Sequence, residues 1–366
     1  MSVEKKLVVS LCVAFVIAIG APMVASIVEA DKSVSETENR ALQMWPVYKD
    51  FDSMQSYFAS INAYVNDHFG FRKNLIELNN KIKYSLNESP SKRIIRGDGD
   101  WFFLKVHDPL MSNQSTPKDR VRANVIFRAD YIKRTHQELK EKGIAYQHIV
   151  VPNKMSLYRE QLPRLYGLTD INATYSFFRQ AMQDVNKTVA FDAIDILVGK
   201  KTNEFKADLY FKNDSHWNDL GAYYVYQESL ARLKQSHSRL SLELRPHLFE
   251  MRRKYSGDLA NMIGLQNRLY SQEPHTSFID CAARSKIKLV KENLSVSICD
   301  TNDTTMLLIA DSFMTGIYKY MSESVGILYM TGQNATRSEI RKTIDDIKPD
   351  VVVEILVQRS LAKPLP

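Results

Sequence analysis

Three apolar runs near the C-terminus, Thr305 to Ala310, Val325 to Tyr329 and Asp350 to Ile355, are separated by stretches long enough for one helix each. Strands that return in the same direction need such a crossover, and a sheet covered on both faces accepts apolar side chains at every position. The alternation predicts an α/β fold with a mainly parallel sheet between two helical layers. No glycine-rich dinucleotide fingerprint accompanies it. Upstream the same pattern continues: a charged helix over 117–142 closed by Gly143, a strand over 144–151 stopped by Pro152, a helix near 170–186, a strand over 189–191, and helices over 192–198 and 219–235. Residues 50–86 carry apolar positions at helical spacing, broken at Phe69-Gly70-Phe71, and predict a helical pair. Arg93 to Leu104 reads as a hairpin around Asp98-Gly99, and 240–300 as irregular or β-rich.

The first of the C-terminal runs stops at Asp311-Ser312-Phe313, which puts a hydroxyl at the carboxyl end of a buried strand, where open α/β sheets bind ligands. A helix starting near Phe313 would aim free amides at the same place. The same residues also suit a plain helix cap. Nearly a hundred residues earlier, Asp214-Ser-His216-Trp217 sets an acid and an imidazole two positions apart. Alone it would fit a packed loop or a fragment of a metal site, but no further His or Cys stands at metal-ligand spacing around it. Together the two segments supply Ser312, His216 and Asp214, the parts of a Ser-His-Asp triad.

Leu7 to Val28 holds no charge over 22 residues, a helix of roughly 33 Å, enough for a bilayer core. Lys5 and Lys6 precede it, so the expected orientation puts the body of the protein outside the cytoplasm. Cleavage after Val28-Glu-Ala30 as a signal peptide is the alternative. The expected organisation is therefore an anchor or signal over 1–30 and one domain over 31–366. In an oxidising compartment Cys281 and Cys299, separated by 17 residues, would pair, with two buried thiols as the other reading. A net charge of +7 spread through mixed runs gives no nucleic-acid footprint and suits an anionic polysaccharide or lipid headgroups. No metal or cofactor is expected.

Read in order, several short motifs resemble one family. They are Glu38-Asn-Arg40 with Pro46, Asp67-His-Phe-Gly-Phe-Arg72, Gly97-Asp-Gly-Asp-Trp-Phe-Phe103, and Val151-Pro-Asn-Lys154 with Tyr158 and Pro163. Asp214-Ser-His-Trp217 with Gly221-Ala222, Gly257-Asp-Leu259, Asp311-Ser-Phe313, and Val353-Glu354 with Arg359-Ser-Leu361 follow. The combination resembles the AlgJ/AlgX-type polysaccharide O-acetyltransferases, SGNH hydrolase-like proteins with rearranged motif order. The membrane-anchored AlgJ-like form is the nearer comparison. The resemblance implies a three-layer α/β/α fold after the N-terminal anchor and acetyl transfer in the periplasm onto an exopolysaccharide such as alginate. It matches Ser312 to the nucleophile, His216 to the base and Asp214 to the orienting acid. It also implies an inner-membrane O-acyltransferase of the AlgI type as acetyl donor.

Around that core we expect Tyr318 near the glycan or in the core, Lys154 on an acidic sugar or at the surface, and Gly257 as an oxyanion donor or a turn residue. A serine esterase shares every catalytic residue with a transferase, because water competes with the sugar. A non-catalytic polysaccharide-binding subunit would keep the fold alone.

Overall fold

A computed structural model describes residues 3–29, 33–35, 40–48, 54–111, 117–167, 170–255, 257–276, 288–291, 293–299, 302–332 and 335–365. The chain divides into two compact units, Met1–Lys92 with Asp258–Leu269, and Arg93–Gly257 with Tyr270–Pro366.

In the first unit a helix over Val3–Glu29 contains the apolar span, Lys5–Ser26, long enough to cross a membrane by length and composition. Helices Met54–Asp67 and Arg72–Ser85 form the expected pair. The break between them is made by backbone: Phe71 sits at φ +62°, and a Cβ on Gly70 would lie 2.1 Å from the Pro22 carbonyl oxygen. Asp67 and His68 hold residues 40–48, the segment before the pair, since the Gln43 amide donates to Asp67 Oδ2 (2.8 Å) and the Gln43 carbonyl lies 3.1 Å from His68 Nε2.

The second unit is built on a seven-stranded sheet. Its strands in chain order are β1 (Ala145–Val151), β2 (Ala190–Asp192), β3 (Lys288–Lys291), β4 (Leu294–Ile298), β5 (Thr305–Ala310), β6 (Ile327–Gly332) and β7 (Val351–Val357). Their spatial order is β2-β1-β7-β5-β6-β4-β3. The first five in that order run parallel, and β4 and β3 close the far edge antiparallel.

Alternation along the strands explains the layers. On β5, Met306, Leu308 and Ala310 join one core, with helices α2 (Asp219–Ser236) and α3 (Met314–Ser324). Leu307 and Ile309 join the opposite core, with α1 (Lys118–Glu141) and α4 (Arg337–Ile347). β1 and β7 are buried along their whole length, as expected for central strands covered on both sides. Since α3 and α4 follow the adjacent parallel strands β5 and β6 onto opposite faces, their connections diverge and leave a crevice at the carboxyl ends.

Boundaries shift in instructive places. α1 ends as expected, with Gly143 at φ +70° and the Ile144 amide donating to Leu139, a glycine-terminated C-cap. β6 starts at Ile327 rather than Val325, where its ladders to both neighbours begin, and Gly326 before it is pressed against the Asn302 carbonyl, where no side chain fits. The helix expected over 170–186 is shorter, Ala173–Ala181. The β-rich region resolves into a hairpin, Glu250–Tyr255 with Tyr270–His275, and the edge strands β3 and β4. Cys299 is buried, whereas Cys281, its expected partner, lies outside the described residues, as does Ser256 before Gly257.

Candidate active site

β5 delivers Ser312 to the crevice through a tight turn held at both ends by Asp311. Its Oδ1 accepts the Phe313 amide (3.0 Å) and its Oδ2 accepts the Val357 amide at the end of β7 (2.9 Å). The plain-cap reading of Asp311-Ser312 is therefore half right: Asp311 caps the turn and clips it to the neighbouring strand, while Phe313, the N-cap residue of α3, has no capping side chain. Ser312 keeps its hydroxyl for another partner, and its side chain is exposed.

That partner is His216. Ser312 Oγ lies 2.7 Å from His216 Nε2, and His216 Nδ1 lies 2.7 Å from Asp214 Oδ1, which also accepts the His216 amide at 3.0 Å. With the imidazole proton on Nδ1, Ser312 donates to His216 and His216 donates to Asp214. Burial alone would raise the Asp214 carboxyl. The hydrogen bond and charge of His216, the Lys254 ammonium and the His216 amide outweigh it and hold the acid well below the ordinary carboxylate range. Asp214 is thus fixed as the anion that an imidazolium needs beside it.

The loop bearing the acid and the imidazole is positioned by groups that carry no chemistry of their own. Trp217 is buried; its indole donates to the Phe313 carbonyl (3.1 Å) and packs edge-on against the Phe313 ring, linking the histidine's loop to the serine's turn. The indole can approach only because position 316 on α3 is glycine, where a Cβ would come within 2.3 Å of Nε1. Asn218 caps α2 by accepting the Gly221 amide, and Gly221 fits against the Leu209 carbonyl where a side chain would collide.

Lys154 corrects the sequence reading. It is neither on the surface nor available to a sugar: its buried ammonium donates to the carbonyls of Phe102 (2.6 Å), Lys212 (2.7 Å) and Asp214 (3.0 Å), so its three protons are used. It also lies over the Trp101 and Phe103 rings, and its role is to fasten the Asp214 loop to the hairpin Ile94–Arg96/Phe102–Leu104. Gly257 packs directly on the acid's backbone, with a Cβ there 2.4 Å from the Asn213 carbonyl and 2.8 Å from Asp214 Cβ. Tyr318 is half-buried on α3 and packs against the core around β5.

Beside Ser312 a cavity of about 670 Å³ occupies the crevice, lined by Met314, Thr315, Arg128, Arg337 and Lys363 among others. Arg128 holds the C-terminal segment through the carbonyls of Ser360, Leu361 and Lys363, an anchor that sequence reasoning passed over. Behind the cavity Glu354 accepts from Tyr146 (2.8 Å), Tyr131 (3.0 Å) and His148 Nδ1 (3.2 Å). Burial pushes its carboxyl up, yet those bonds and the charge of His148 bring it below its ordinary value. The apolar strand pattern hid this cluster, although a Glu inside an otherwise apolar run was its visible signal.

Residues 94–321, more than half the chain, match the family described as SGNH hydrolase-like domain, acetyltransferase AlgX. The chain belongs to this family. The AlgX-type domain is an acetyltransferase domain of the kind that O-acetylates polysaccharides. Among solved structures, PatB1 of Bacillus cereus superposes with a TM-score of 0.52 at 15% identity, over 74% of this chain and 98% of that one. A DHHW family protein from Eubacterium siraeum gives 0.50 at 14% identity, over 74% and 91%. The O-acetyltransferase domain of Pseudomonas putida AlgJ gives 0.49 at 17% identity, over 75% and 93%. At such identities the first two likenesses show a shared fold. A comparison with curated proteins finds no match.

Proposed function

We propose that this AlgX-type protein is a periplasmic O-acetyltransferase that carries acetyl on Ser312 and passes it to hydroxyls of an exopolysaccharide of the alginate kind. The unbroken Asp214–His216–Ser312 chain of hydrogen bonds carries the proposal. His216 takes the Ser312 proton as the hydroxyl attacks the acetyl carbonyl, and Asp214 stabilises the imidazolium. The tetrahedral adduct collapses as His216 returns the proton to the donor's leaving oxygen, which leaves acetyl-Ser312. A sugar hydroxyl then gives its proton to His216, attacks the ester and releases Ser312.

The Ser312 amide is our candidate oxyanion donor, a group typically worth about 3 kcal/mol in the transition state, and Gly257, packed against Asp214, is our candidate for the second. Tyr318 is proposed to meet the glycan. Arg337 and Lys363 at the cavity favour an acidic polymer. Residues 1–30 would anchor the domain 31–366 to the inner membrane, and a membrane-bound O-acyltransferase of the AlgI type would present the acetyl group. The exposed serine also admits water, which supports esterase turnover as a second reading when no acceptor is bound.

Mass spectrometry after incubation with an activated acetyl ester tests this. The expected result is an adduct of about 42 Da on Ser312 that moves to an oligosaccharide and is absent in Ser312→Ala. Acetate release with every acceptor left unmodified would make the protein an esterase. The absence of any serine-dependent acetylation would make it a non-catalytic subunit.

A further inference from the structure

Helix Arg72–Ser85 is amphipathic in the wrong sense for a soluble domain. Its one buried residue is Asn80, whose amide donates to the Ile263 carbonyl (3.0 Å). Phe71, Leu75, Leu78, Ile82 and Leu86 follow at spacings of four, three, four and four, a single stripe, and each is between 44% and 65% exposed. The partner helix Met54–Asp67 buries no residue and exposes Phe58 and Val65. Such a contiguous apolar face on an otherwise polar pair calls for a cover.

The structure of this unit says what lies beside it. The Gly70 amide donates to Ser26 Oγ (2.8 Å), and Gly70 packs on the Pro22 carbonyl with no room for a side chain. Pro22 and Ser26 are the last turn of the apolar span Lys5–Ser26. The apex of the helix pair is therefore docked where the span ends, flanked by the exposed rings of Phe69 and Phe71, apolar side chains of the kind that interfacial helices bury at the headgroup–acyl boundary. Arg72, Lys73, Lys81 and Lys83 against Glu77 give the helix a cationic polar side, the composition of a helix lying in an anionic membrane surface.

We infer that the helix pair lies on the phospholipid bilayer, with the Phe71-to-Leu86 stripe in the headgroup–acyl boundary, as a second membrane contact beside the span. The inference rests on reading Lys5–Ser26 as a membrane helix. The test uses the full chain in its own membranes, with Leu78 replaced by the photo-crosslinker benzoylphenylalanine. The same replacement at Phe15 samples the span, and at exposed Arg122 it serves as a polar control. Phospholipid adducts at Leu78 at least about fivefold above those at Arg122 are expected. Lipid adducts at Phe15 with none above control at Leu78 would sink the surface contact and spare the span. Cross-links from Leu78 to a second copy or to another protein would equally overturn the lipid assignment, and name the true occupant.

Discussion

Ser312→Ala removes one oxygen from an exposed side chain, so the variant should melt with the wild type while losing acyl-enzyme formation altogether. Asp214→Asn keeps the shape and offers His216 the wrong hydrogen bond, with an expected loss of roughly 10⁴-fold in kcat. Lys154→Met should act differently. Three carbonyls lose their donor, destabilisation of about 2–4 kcal/mol is expected in denaturant melts, and kcat falls because the Asp214 loop loosens. Lys154→Arg, too long for the same pocket, should not restore it. The meeting of Asp214, His216 and Ser312, our proposed triad, could be anticipated because a strand that ends in Asp-Ser and an Asp-x-His element each have a chemical reading. Lys154 was misread because a lysine after a strand end looks like surface until Phe102, Lys212 and Asp214 are known to converge on it.

pH dependence also belongs to single residues. Asp214 and Glu354 both titrate lower in the folded chain than in the unfolded one. Their contribution to stability is therefore full above the unfolded carboxylate range of about 4 and is lost as pH falls through their lower folded values. Melting temperatures followed downward from pH 6 should drop below about pH 4. Glu354→Gln should flatten that slope, and an unchanged slope would remove Glu354 from the account.

Elements were recovered according to how fully they are buried. β5 announces itself as an apolar run, and β1 and β7 as runs broken only by the buried polar residues Gln147, His148 and Glu354, because neither of their faces meets water. β4, with Ser295 and Ser297 between Leu294, Val296 and Ile298, and its edge neighbour β3 mix polar with apolar and dissolve into an irregular stretch when read as sequence. The contact between α3 and the His216 loop depends on one missing atom. Gly316→Ala would push a methyl into Trp217, so a loss of about 1–3 kcal/mol and a larger loss of activity than of fold are expected, measured by melting and acyl-enzyme yield side by side. A disulfide between Cys281 and Cys299, proposed here, would tie the segment before β3 to the end of β4. Peptide mapping without reduction should find the pair, and reduction should cost roughly 3 kcal/mol.

For the molecule as a whole, the apolar span and the central sheet were both legible from their largely apolar runs, whereas the division into two units was not. Asp258–Leu269 joins the N-terminal unit across about 170 residues of chain, a long-range choice that no local pattern encodes. The proposed catalytic assembly is just as non-local. His216 and Ser312 meet across 96 residues of chain, and Asp311 clips the serine's turn to Val357. We expect the two segments to pair only once the sheet has formed. During refolding, acylation competence should return later than helical circular dichroism, which makes the nucleophile a clock for the last step of assembly.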